Sequence, residues 1–206
     1  MKNKLLLIML GFGSIVLAQN VNTKDGGTIY NSQNYVLDKA NLNDSFYIDK
    51  EYKNANIKNY SGTRGYRYNA FTDDFEYLDG KKYYNLEKQD GLELNFLNGQ
   101  IYKYTSYYDD NGELKKGYLQ VLTDINGNNI LYKSVKVSKT ELGNTNSYNN
   151  MDSVKFRTLI NYYIGTGNKI EQVSKSNKDL NKIAKAAKLN ISKEKDLIKL
   201  VDILNK

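Results

Sequence analysis

The residues best equipped for chemistry lie between positions 65 and 80, in the stretch GYRYNAFTDDFEYLDG. There Arg67, Asn69, Asp73, Asp74 and Glu76 stand among the rings of Tyr66, Tyr68, Phe71, Phe75 and Tyr77. Two carboxyl groups held about 5 to 10 Å apart can share the work of glycoside hydrolysis, and flat aromatic rings suit the faces of sugars. On that reading Asp73, Asp74 or Glu76 supply the pair. A binding role without turnover uses the same neighbourhood, Tyr66, Arg67, Tyr68, Asn69, Asp73, Asp74 and Glu76, as a contact surface. The third reading is structural. Strand alternation puts Tyr66, Tyr68 and Ala70 on one face and Arg67, Asn69 and Phe71 on the other, and Thr72-Asp73-Asp74 breaks the run. Phe75 and Tyr77 resume it up to the turn at Asp79-Gly80, so Arg67 and Glu76 become neighbours on a hairpin. Opposite charges placed so contribute about 0.2–1 kcal/mol.

Composition removes many other chemistries. The 206 residues include no histidine and no cysteine. That excludes the commonest zinc ligands, cysteine and histidine nucleophiles, and the Ser-His-Asp triad. Asp109-Asp110-Asn111-Gly112 and Asp124-Ile125-Asn126-Gly127 resemble the start of a calcium loop. The twelve-residue register of that loop would place Tyr107 and Tyr118, or Leu122 and Lys133, at its first and last ligand positions, and none of these carries a carboxylate. Hairpin turns are the expectation there, with no metal and no cofactor.

The elements that must position these residues are legible in outline. Short β-branched and aromatic runs between 64 and 137 are separated by Asp79-Gly80, Asp90-Gly91, Asn98-Gly99, Asn111-Gly112 and Asn126-Gly127, pairs able to supply the positive φ of tight hairpin turns. Leu92, Leu94 and Phe96 alternate with Glu93 and Asn95, while Leu131, Val135 and Val137 alternate with Tyr132, Ser134 and Lys136. The pattern predicts an antiparallel meander with one apolar and one wet face, Leu119 and Val121 pointing inward. A polar loop is expected over 138–150. Phe156–Ile164 and Lys169–Val173 flank Gly165-Thr166-Gly167-Asn168 as a last hairpin, a helix over its first arm being the alternative.

Two amphipathic helices are predicted over 178–188 and 193–204. Ser176 with Asp179 forms a capping box for the first, which aligns Leu180, Ile183, Ala184 and Ala187; Ser192 caps the second, which aligns Leu197, Leu200, Val201 and Leu204. Packed on the apolar face of the sheet, they make an α+β domain spanning 64–206. Residues 19–63 read either as an arm or as short strands at Thr28-Ile29-Tyr30, Tyr35-Val36-Leu37 and Phe46-Tyr47-Ile48.

Residues 1–18 have the form of a secretory signal peptide: Lys2 and Lys4, an apolar run from Leu5 to Leu17, and small Ala18 ahead of Gln19. A run of 13 residues is shorter than a bilayer-crossing helix requires. The mature chain is therefore expected to be exported, soluble, without stable membrane insertion and without disulfides. The formal charge of +7 falls to +5, 28 basic against 23 acidic residues, once Lys2 and Lys4 leave. Lysines outnumber acids ten to five over 169–206, which reads as helix solvation rather than as a nucleic-acid surface.

Tyr107 to Lys115, YYDDNGELK, looks like one unit of a MORN-type repeat, and Asn95–Tyr102 loosely echoes it. A solenoid needs at least three stacked units, so the echo is hairpin chemistry. More broadly, RYNAFTDDFE at 67–76, GYLQVL at 117–122, ILYKSVKV at 130–137, YYIGTGNKI at 162–170 and the closing KLNISKEKDLIKLVDIL occur in an order that resembles small exported proteins of Bacteroidota, flavobacteria in particular. The resemblance implies a periplasmic or cell-surface location and one continuous domain, and it carries no activity.

Taken together, the sequence predicts a non-catalytic binding or interaction module of the cell envelope. Its partner is expected to be an envelope protein or glycan and not nucleic acid, its location periplasmic or extracellular. The alternatives are a carboxylate-dependent glycan hydrolase and a scaffold subunit of an envelope assembly. The 19 tyrosines favour a contact surface, because tyrosine offers broad amphipathic area at low entropic cost.

Overall fold

A computed structural model describes residues 46–80, 82–140 and 155–206. The signal-peptide reading of 1–18, the apolar pieces at 28–30 and 35–37 and most of the expected loop at 138–150 lie outside the described residues. The fold is α+β, a mostly antiparallel sheet of ten strands with two C-terminal helices on one face.

The strands are β1 (Lys53–Ile57), β2 (Thr63–Asn69), β3 (Asp74–Asp79), β4 (Lys82–Asn85), β5 (Glu93–Phe96), β6 (Ile101–Tyr108), β7 (Leu114–Val121), β8 (Asn129–Thr140), β9 (Lys155–Thr166) and β10 (Lys169–Gln172). Their order in the sheet is β10-β9-β8-β7-β6-β5-β1-β2-β3-β4. Two meanders, β2–β4 and β5–β10, are thus joined by β1, which pairs with β2 on one side and β5 on the other. This strand comes from the stretch for which the sequence left an arm and short strands open, and it sits at the middle of the sheet because Ala55 and Ile57 are buried there. At the other end β10 pairs with β9 and meets β6 in parallel at Glu171 and Tyr108, which closes β6–β10 into a small barrel.

Closure corrects the expectation of one wet face. On β8, Leu131 packs against the helices, while Tyr132 and Ser134 point into the barrel and are equally buried. Glu93 too is buried beside Leu92 and Leu94. The turn glycines 80, 91, 99 and 112 all have positive φ, as expected of hairpins. Gly127 does not. It serves close packing instead, since a Cβ there would lie 3.1 Å from Asn129 O and 3.1 Å from Asn205 Nδ2. The alternative of a helix over Phe156–Ile164 gives way to β9, and β8 runs on through Ser138, Lys139 and Thr140.

Helices α1 (Lys178–Ala186) and α2 (Glu194–Leu204) cover Leu131, Tyr162 and Ile164 with Leu180, Ala184, Leu197, Leu200 and Val201. Ala187, expected on the buried stripe, closes α1 as its exposed C-cap. The caps differ from the capping-box prediction. Asn177, not Ser176, accepts the Leu180 N–H at 3.1 Å, and Lys193 occupies the cap of α2 without a side-chain bond, leaving Ser192 one residue outside. Both ends of α2 are instead tied to β8. Glu194 accepts from Lys133 Nζ at 2.8 Å and from Tyr162 at 3.0 Å, and Asn205 exchanges bonds of 2.7 and 2.9 Å with the Asn129 backbone. The Lys133 bond holds the Glu194 carboxyl below its ordinary range despite partial burial.

Candidate functional site

The β2–β3 hairpin sets Arg67 opposite Glu76, Tyr68 opposite Phe75, Asn69 opposite Asp74 and Tyr66 opposite Tyr77. Because cross-strand partners share a face, Arg67, Asn69 and Glu76 are brought together on one side. Tyr66 and Tyr68 go to the other, into an aromatic core with Phe75, Tyr77, Phe96 and Tyr118.

On the first face Glu76 is 1% exposed and its oxygens are fully engaged. Arg67 Nη2 donates to it at 2.9 Å, Asn69 Nδ2 at 2.9 Å and the Tyr47 hydroxyl at 3.0 and 3.1 Å. The guanidinium lies 3.7 Å from the centre of the Tyr47 ring and 4.7 Å from that of Tyr52, a pair of cation–π contacts. Burial opposes the Arg67 charge, but the bond to Glu76 and the two tyrosines hold its pKa above the ordinary arginine value. The Tyr52 phenol is pushed up to about 12, chiefly by burial. Arg67 Nε and the Tyr52 hydroxyl, both buried, have no hydrogen-bond partner among the described residues. Tyr47 and Tyr52 lie N-terminal to the stretch singled out in the sequence. Their signal was weak, an aromatic at each end of a polar segment leading into β1.

Asp73 goes the opposite way. It has φ of 58°, a left-handed conformation that aspartate tolerates better than most residues, and this turns its side chain away from Glu76. The carboxylate enters a split in the sheet. Strands β7 and β8 pair only at Gln120–Lys133 and Val121–Tyr132, and then part. Continued in register, Tyr118 would face Val135. Between them instead stand Asp73, which accepts from Tyr118 N at 3.3 Å and from the Tyr68 hydroxyl at 2.5 Å, and Tyr68 itself, 3.4 Å from Val135 O. Two residues further along, Val137 N donates to Ala70 O at 2.8 Å. The tip of the β2–β3 hairpin therefore replaces the missing ladder between β7 and β8. Gly117 makes room for it, since a Cβ there would land on Asp73 Oδ2. Burial raises the Asp73 pKa even though the Tyr68 bond, Lys136 and Lys88 favour its charge.

Asp74 joins neither group and pairs with Lys88 at 2.8 Å on the rim. The three carboxylates considered for hydrolysis thus occupy three environments, each with its own partners. A cleft of about 110 Å³ does open beside Tyr66, Arg67, Tyr68, Phe75 and Tyr102, small against the 300–1,000 Å³ usual for ligand pockets. At the two calcium-like turns the first aspartate is used locally. Asp109 Oδ1 accepts from the backbone of Asn111 and Glu113, and Asp124 Oδ1 from that of Asn126.

The surface offers a different feature. Strand β9 pairs with β8 along its whole length but with β10 only over 163–166. Among the described residues, the outer edge of 155–161 has no strand beside it, and Leu159 (37%) and Ile160 (50%) are exposed there with Arg157 and Thr158. Comparisons with protein-family models, with curated proteins and with solved structures find no match to this chain.

Proposed function

We propose that the protein is a non-catalytic interaction module of the bacterial cell envelope, exported by its N-terminal segment, that receives an extended segment of a partner protein along the edge of β9. The observation that carries this reading is that edge. Seven residues of strand backbone, with Leu159 and Ile160 exposed, have no strand beside them on that edge among the described residues, the arrangement that strand addition uses. Arg157 guards the same edge against pairing with a second copy and favours an acidic partner segment. The bonding of the hairpin supports the non-catalytic part, because Asp73, Asp74 and Glu76 are already committed to protein donors.

The test is site-specific photocrosslinking in intact cells, with the probe at position 160 and, as control, at the exposed Lys199 of α2. A single adduct from position 160, absent from 199 and diminished by Leu159→Lys, is expected. No adduct, or equal yields from both positions, refutes the edge as the contact.

A further inference from the structure

The closed barrel of β6–β10 has a mouth that the interaction reading does not use. A cavity of about 410 Å³ opens there, within the range of small-molecule sites. Its polar wall is formed by Lys103 and Thr105 of β6, Tyr132 of β8, and Asn128 and Asn168 from the two adjoining turns. No hydrogen bond or ion pair to another described residue engages any of these five side chains. By contrast, Arg67, Asp73, Asp74 and Glu76 of the hairpin and Glu194 of α2 each have a protein partner.

Lys103 stands in register opposite Glu93, but the Glu93 carboxylate is taken by Lys58 Nζ at 3.2 Å and Asn95 Nδ2 at 3.3 Å. Among the described residues, no carboxylate stands within ion-pair distance of Lys103, so the cavity holds one cation not engaged in a salt bridge. Around it are hydroxyl and amide groups that both donate and accept, with Ile130 and Ile170 as an apolar floor. Gly165 lets the Tyr132 ring lie against β9, since a Cβ there would come within 2.8 Å of it.

We propose that the barrel mouth binds an acidic sugar, a pyranose carrying one carboxylate. Lys103 pairs with the carboxylate. Thr105, Tyr132, Asn128 and Asn168 exchange hydrogen bonds with the ring hydroxyls, and the isoleucines meet its C–H face. A neutral sugar leaves the lysine unpaired, and a free inorganic anion leaves the other four polar groups and the apolar floor unused.

The experiment is titration of the purified full chain with glucuronate, glucose, inorganic phosphate and a uronate-containing oligosaccharide, read by the amide NMR signals of Gly127, Gly165 and Gly167. Glucuronate is expected to move these signals and to bind at least about ten-fold more tightly than glucose, the worth of one charge-assisted hydrogen bond. Lys103→Gln removes that advantage, Lys103→Arg keeps part of it, and Asn168→Ala weakens both sugars. Tighter binding of the oligosaccharide than of glucuronate assigns the site to a glycan, and equal binding to the free sugar. Failure of glucuronate to bind at millimolar concentration, equal affinity for glucose, tighter binding of phosphate, or indifference to Lys103→Gln overturns the proposal. Ile160→Lys leaves sugar binding intact, so this result and that of the β9 crosslinking stand apart.

Discussion

Asp73 provides the sharpest test of how the sheet is held together. Replacing it with alanine removes the acceptor for the Tyr118 N–H and the Tyr68 hydroxyl, each costing about 1–3 kcal/mol when left unsatisfied. Alanine must also adopt the left-handed φ of 58°, at about 1–2 kcal/mol. Asp73→Ala should therefore lose about 3–8 kcal/mol, a large part of the stability of a domain this size. Asparagine keeps a carbonyl acceptor, tolerates the backbone angle and carries no charge to bury, so Asp73→Asn should stay within about 1 kcal/mol of the native protein near neutral pH.

The two substitutions also differ in their pH dependence. Burial raises the folded pKa of Asp73 above its ordinary value of 3.8, so its contribution to stability is full below about pH 4 and is lost as the pH rises through the folded pKa. Each unit of that elevation is worth about 1.4 kcal/mol. The stability of Asp73→Asn relative to the native chain should consequently improve as the pH is raised from 4, and level off above the folded pKa. Urea unfolding at half-unit steps from pH 4 to 8 measures this directly. Equal losses for asparagine and alanine, or an alanine variant within 1 kcal/mol of native, would refute the role of the β2–β3 tip as a wedge between β7 and β8.

Two further outcomes follow from packing. Arg67→Met or Glu76→Leu alone should destabilise by about 3–5 kcal/mol by leaving a buried charge unpaired, while the double substitution costs clearly less than the sum; additive losses in denaturant titrations would mean the brace is not coupled. At α1, Asn177→Ala should cost about 1 kcal/mol and Ser176→Ala a few tenths at most, and thermal melts that reverse this ranking would restore the serine as cap.

The sequence showed the hairpins and helices because their signals are local. Alternation in 92–96 and the Asx-Gly pairs locate strands and turns, and stripes of Leu197, Leu200 and Val201 locate a helix. The pairing of Arg67 with Glu76 was also legible, since parity and one turn suffice. Its partners Tyr47 and Tyr52 were not, because they reach the brace only when β1 inserts between β2 and β5. Nor was the parting of Asp73 from Glu76, which depends on one left-handed residue and on a gap between strands more than forty positions away. The Lys103 cavity exists only because β10 returns to β6, a contact that no periodicity announces.

The wedge has a consequence for how the chain can be divided. The β2–β3 hairpin is joined by local contacts across one turn, whereas β7 and β8 meet its tip only across long stretches of chain. The later strands part around that tip, so the geometry of their half of the sheet depends on the earlier half. Contacts at sequence separations of 45 and 67 residues hold that junction. The barrel and the hairpin wing are accordingly not separable modules: a fragment beginning after β3 would reach the β7–β8 split with nothing to fill it.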